Sequence, residues 1–90
     1  MRYWYWKHHD DGNILPRRNY VEMDEYGYEI RKVVYYRNNE IEFADEAHES
    51  ERTWLGVRPL PGLSVFSEMI ETAVTVITKE QFEKVWEECN

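Results

Sequence analysis

Turn signals cut the first half of this chain into strand-length pieces. Asp10-Asp11-Gly12-Asn13, Asp24-Glu25-Tyr26-Gly27 and Asn38-Asn39 are clusters of residues that tolerate positive φ or hydrogen-bond their own backbone, and they recur at short intervals. The segments between them are Tyr3-Trp4-Tyr5-Trp6, residues 18–23, Tyr28 to Arg37, and a short stretch containing Ile41 and Phe43. All are rich in aromatic or β-branched side chains, which suit a pleated, half-buried surface. In the third segment Tyr28, Ile30, Val34 and Tyr36 share one parity, and Glu29, Arg31, Val33, Tyr35 and Arg37 share the other. In the fourth, Ile41 and Phe43 read as inward, with Glu40 and Glu42 outward. Four strands joined by short turns predict an antiparallel meander with one wet face.

The second half reads differently. Thr78-Lys79-Glu80-Gln81 has the spacing of a capping box, in which each of two side chains satisfies the backbone N–H of the other residue. Phe82, Val85, Trp86 and Cys89 then follow the stripe of a helix that packs on a sheet. Leu63, Phe66, Met69 and Ile70 suggest a shorter helix, and Val74 to Ile77 a brief fifth strand. The expected fold is therefore α+β: a four- to five-stranded antiparallel sheet with a C-terminal helix and a shorter helix packed on one face. Ninety residues make this one domain, residues 1–90, too small for a multidomain enzyme.

The formal net charge of −7 argues against binding nucleic acid directly, because such a surface must replace condensed counterions with Lys and Arg. Its placement is uneven: residues 1–37 carry +1 and residues 38–90 carry −8. The densest stretch holds Glu40, Glu42, Asp45, Glu46, Glu49 and Glu51 without an intervening Lys or Arg. Such a run is a solvated loop or a field that steers a basic partner. A single cysteine, Cys89, excludes an internal disulfide and a Cys-ligated structural zinc, and it fits a reducing, cytoplasmic compartment. No stretch approaches the roughly 20 apolar residues of a membrane span. The acidic spacing is not that of an EF-hand loop, and no metal or cofactor is expected.

Candidate chemistry is sparse. There is no phosphate-binding glycine loop and no nucleophile elbow. Glu87 and Glu88 beside Cys89 disfavour a reactive thiolate. His8 and Asp10 share a strand parity, as do Glu29 and Arg31, and a Glu/His/Arg set on a sheet is the equipment of a metal-free ribonuclease. An RNA-cleaving or RNA-binding enzyme using His8, Asp10, Glu29 and Arg31 is thus an alternative to a non-enzymatic role; the bland reading of the same residues is a set of cross-strand ion pairs.

Several segments, taken in order, resemble a family of small single-domain bacterial proteins of unknown function. They are Trp6-Lys7-His8-His9-Asp10, Tyr20-Val21-Glu22-Met23-Asp24, Tyr28-Glu29-Ile30-Arg31-Lys32-Val33, Phe43-Ala44-Asp45-Glu46, Thr53-Trp54-Leu55-Gly56, Pro59-Leu60-Pro61 and Ile77-Thr78-Lys79-Glu80-Gln81-Phe82. The chain departs from it in residues 11–19, where the family tends to be Pro-rich. Such proteins resemble immunity proteins encoded near polymorphic toxins, and the resemblance implies no catalytic residues. It implies a cytoplasmic inhibitor of a basic toxin domain, a nuclease above all, whose active site an acidic surface occludes by imitating phosphate. On that reading the partner-binding set is Glu40, Glu42, Asp45, Glu46, Glu49 and Glu51, with Trp54 as the aromatic anchor or else a core residue under the loop. The expected oligomeric state is a monomer or weak dimer, because an aromatic strand left at a sheet edge would favour pairing.

Overall fold

The computed structural model describes residues 1–8, 17–36, 40–51 and 53–89. Five strands form one antiparallel sheet: β1 (Arg2–Lys7), β2 (Arg18–Met23), β3 (Glu29–Tyr35), β4 (Ile41–Ala44) and β5 (Val74–Val76), in the spatial order β4-β3-β2-β1-β5. Two helices complete an α+β fold, α1 (Leu63–Ile70) and α2 (Lys79–Cys89). The β2–β3 turn is built as its residues suggest. Asp24 Oδ1 accepts the backbone N–H groups of Tyr26 at 2.9 Å and Tyr28 at 3.0 Å, and Gly27 takes φ +93°. Gly27 is also a close approach, since a Cβ there would lie 2.7 Å from the Leu60 carbonyl oxygen. The turn clusters at residues 10–13 and 38–39 fall outside the described residues.

Both faces of the sheet are covered, which corrects the expectation of one wet face with both helices on the other. Strand neighbours point to opposite faces. Tyr3 meets Phe82 of α2 with ring centroids 5.5 Å apart, whereas Trp4 and Trp6 meet Phe66 of α1 at 5.6 and 5.0 Å. The α1 face buries Trp4, Trp6, Val21, Met23 and Phe66, with Leu60, Ile70 and Val74 packed against them. The α2 face is an aromatic layer in which Phe82, fully buried, stacks near Trp86, and Trp86 meets Phe43 edge-on at 5.3 Å. The physical reason lies in β1: its Tyr-Trp-Tyr-Trp run carries large rings on both parities, so neither face can be left to water.

The capping box forms as read. Thr78 N–H donates to Gln81 Oε1 at 2.8 Å, and Gln81 N–H donates to Thr78 Oγ1 at 3.1 Å. An ion network clamps α2 to the sheet below it. Arg31 on β3 donates to Glu22 on β2 through Nε at 2.6 Å and through a second guanidinium nitrogen at 3.0 Å, and that second nitrogen also reaches Glu83 of α2. Tyr3 Oη donates to Glu22 Oε2 at 2.8 Å. The guanidinium lies 5.0 Å from the centroids of both Phe82 and Trp86, a geometry suited to cation–π attraction.

This network sets a pH profile for stability. Burial by itself would raise Glu22, but hydrogen bonds from Arg31 and Tyr3 outweigh it and hold the carboxyl below its ordinary 4.5; the Arg31 hydrogen bond lowers Glu83 likewise. As pH falls, the unfolded chain therefore binds these protons first. The stability the pair contributes is complete above about pH 4.5 and is lost as pH drops through the two lowered values. Burial, then the Glu22 hydrogen bond, pushes the Tyr3 phenol up to about 12. At the alkaline end the unfolded chain ionises first, so stability falls from about pH 10 to about pH 12. Urea titrations across this range should show both limbs, and Glu22→Gln should flatten the acid one. An acid limb of unchanged depth in that variant would place the proton uptake elsewhere.

Candidate functional site

The acidic stretch, Glu40 to Glu51, begins one residue before edge strand β4 and runs into the segment that follows it. Local chemistry shapes this segment. Asp45 Oδ1 accepts the Ala47 N–H at 2.9 Å, Asp45 and His48 exchange backbone hydrogen bonds, and the His48 ring stacks on Phe43 at 4.4 Å. Glu49 Oε2 accepts the Leu55 N–H at 2.7 Å, which folds the far end of the segment back on itself.

Glu42 departs from its expected outward, solvent-facing role. It pairs across the sheet with Val34, and that face is covered here by the residues that follow β4. Glu42 Oε1 accepts Ser50 Oγ–H at 2.7 Å and Thr53 Oγ1–H at 2.8 Å, and Tyr36 Oη lies 2.7 Å from Thr53 Oγ1. A half-buried carboxylate holding two hydroxyls is a strut for the loop. Glu40, Glu46, Glu49 and Glu51 are exposed, and Asp45 is half-buried. Asp45 and Glu46 border a cleft of about 340 Å³ that Glu29, Ile30, Arg31 and Leu55 also line.

Trp54 had two readings, an anchor or a core residue. It is 54% exposed. Its inner side forms one wall of a cavity of about 270 Å³ on the α1 face of the sheet, shared with Asn19, Glu29, Lys32, Tyr36 and Gly56. Sequence reading had not singled out Asn19 or Lys32. The available signal was faint: an Asn inside a strand-like run, where Asn is disfavoured.

The His8, Asp10, Glu29 and Arg31 set is not assembled. Asp10 lies outside the described residues. The β2–β3 register shifts between Glu22 and Met23: Glu22 pairs with Arg31 but Met23 pairs with Glu29, so Ile30 is an extra residue in β3. That slip sends Glu29 to the α1 face, where its Oε1 lies 2.6 Å from Lys32 Nζ, while Arg31 stays under α2. His8 follows the Lys7–Arg18 end of β1, whereas Arg31 sits beside Tyr3 and Glu22, roughly five residues or 16 Å along the strands. Glu29 and Arg31 are therefore members of two separate ion pairs. Cys89 donates Sγ–H to the Trp86 carbonyl oxygen at 3.3 Å, and burial pushes its thiol up, away from the reactive thiolate form. Among the described residues no group of three or more His, Cys, Asp or Glu side chains is placed to hold a metal ion, and no helix is long and apolar enough to cross a membrane.

Comparison with curated proteins and with solved structures returns no match for this chain. A family model does match, from residue 2 to residue 90, and it is described as a domain of unknown function. Because the match runs through every strand and both helices, the chain belongs to the DUF6881 family.

Proposed function

We propose that this protein is a binding module of the immunity type, which neutralises a basic toxin domain, a nuclease above all, by docking the acidic segment after β3 over the toxin's active site. The observation that carries this reading is Trp54: a large ring, more than half exposed, three residues after Glu51 at the end of the acidic stretch. An exposed aromatic anchor in a charged segment is the composition of an interface hot spot. The carboxylates supply long-range attraction to a cationic active site, and Trp54 supplies the buried contact that slows release. Glu42 takes no direct part, because it is half-buried and its Oε1 holds the Ser50 and Thr53 hydroxyls.

Co-expression with the toxin encoded beside it should rescue growth. Reversing two exposed charges, Glu46→Lys with Glu51→Lys, should slow association by about tenfold or more at low salt and flatten its salt dependence. Trp54→Ala should instead raise the dissociation rate, weakening binding by about 30-fold, as loss of a hot-spot ring does. Failure of a folded, soluble protein to rescue growth, or an on-rate indifferent to the charge reversal, would remove this reading.

A further inference from the structure

Asn19 is a polar side chain kept at a cost. It is the second residue of β2, between Trp6 of β1 and Val34 of β3, and is only 6% exposed. Its Nδ2 is buried and has no hydrogen-bond partner, and the indole N–H of its cross-strand neighbour Trp6 is in the same condition. A buried donor without an acceptor forfeits the hydrogen bonds it would make in water, and an apolar residue of the same size would not. Local rules are broken in this way at functional sites.

The amide opens on a cavity rather than on packed side chains. The cavity of about 270 Å³ has three polar groups arranged along β3 and β2: Asn19 beside Val34, then Lys32, then Glu29. The Lys32 ammonium, with three protons, forms an ion pair with Glu29, its Nζ 2.6 Å from Oε1, yet that buried oxygen takes no hydrogen bond among the described residues. Asn19 and Lys32 together make a donor pair for one oxygen, and the Glu29 carboxylate beside them is an acceptor for an N–H. Trp54 and Tyr36 add aromatic surface to the lining. The Gly56 backbone closes one end so tightly that a Cβ would fall 2.8 Å from Glu29 Oε2.

A row of donor, donor and acceptor beside a flat ring selects a flat ligand with the complementary edge. We infer that this cavity binds a small planar heterocycle carrying a lactam edge, a carbonyl next to a ring N–H, as uracil and guanine do. The carbonyl oxygen takes protons from Asn19 Nδ2 and Lys32 Nζ, the ring N–H donates to Glu29, and the ring stacks on Trp54. The ion pair of Lys32 and Glu29 is internally neutral, so a neutral ligand fits where a free phosphate would meet the Glu29 charge. This site lies beneath Trp54, on the sheet side, and stands or falls independently of the proposed toxin contact.

The test is a titration of the full, isotopically labelled chain with uridine, guanosine, adenosine and cytidine, following the side-chain amide signals of Asn19 and the indole signals of Trp54 by NMR. Uridine or guanosine should shift both saturably, with a Kd of about 0.1–1 mM, the range reached by ligands of that size. Adenosine and cytidine lack the lactam edge and should bind at least tenfold more weakly. Asn19→Leu removes the orphan donor, so it should fold with unchanged or raised stability while uridine or guanosine binding drops tenfold or more. Equal shifts with all four nucleosides, no shift of Asn19 at millimolar concentration, or undiminished binding by folded Asn19→Leu would each overturn the assignment.

Discussion

Arg31→Met should destabilise the protein by about 3 kcal/mol, measured as a drop in the urea midpoint with little change in slope. The effect comes chiefly from what the substitution leaves behind. The Glu22 side chain is 7% exposed, and without Arg31 its charge keeps only the Tyr3 hydroxyl and a distant Lys79. Removing one partner of a buried pair costs about 3–5 kcal/mol because the other charge stays behind in a poor solvent. The lower end applies, since Arg31 itself is 20% exposed at its side chain. Glu83→Gln is the control. That side chain is 32% exposed, so its loss should cost less than about 1 kcal/mol. If Arg31→Met costs no more than Glu83→Gln, the clamp contributes geometry but not stability.

Phe82→Ala should be at least as damaging, at about 3–5 kcal/mol. Phe82 has no exposed surface, and it is the one ring of α2 that touches both Tyr3 and Trp86. A domain of 90 residues has roughly 5–13 kcal/mol in total. This one truncation therefore removes about a quarter of the stability or more, and far-ultraviolet dichroism should show α2 melting at lower urea than in the parent. The two changes should not add. Arg31 lies over the Phe82 ring, so the double variant should fall short of the sum by about 1 kcal/mol. Additivity within error would mean that the guanidinium and the ring act independently.

What could be read in the sequence was what short-range chemistry dictates. The Thr78/Gln81 capping box is a local exchange between residues three apart, and it forms as spelled. Strand β2 begins and ends where its turn residues place it, at Arg18 and Met23. α1 was fainter, because its N-cap is Gly62, which offers no side-chain cap, and its C-cap is Glu71 in a left-handed conformation that Gly usually supplies.

The misplacements have non-local causes. Parity assigned Glu29 and Arg31 to one face, and only the pairing of β3 with β2 reveals the extra Ile30 between them. No glycine marks that bulge. Glu42 looked solvent-facing because alternation says which residues share a face, and not what later chain will cover it. Ser50, Thr53 and Trp54 do so. The same covering segment makes the cavity beside Asn19, so that site could not be read from β2 alone. Trp54 was legible as a candidate because it stands among carboxylates, but its exposure depends on how Glu49 and Glu42 tether the loop.

The strand order has a consequence for which backbone the sheet leaves open to an incoming chain. β1, with its run of four consecutive aromatic rings, is flanked by β2 on one side and β5 on the other. The sheet's two open margins are instead its shortest strands, β4 with four residues and β5 with three. Short margins offer an incoming chain few hydrogen bonds, so they are poor templates for growth. β5 therefore acts as a cover strip as well as a strand. While Trp4, Tyr5 and Trp6 keep their pairing with Val76, Thr75 and Val74, the segment best suited to seed cross-β stacking has no free backbone to offer.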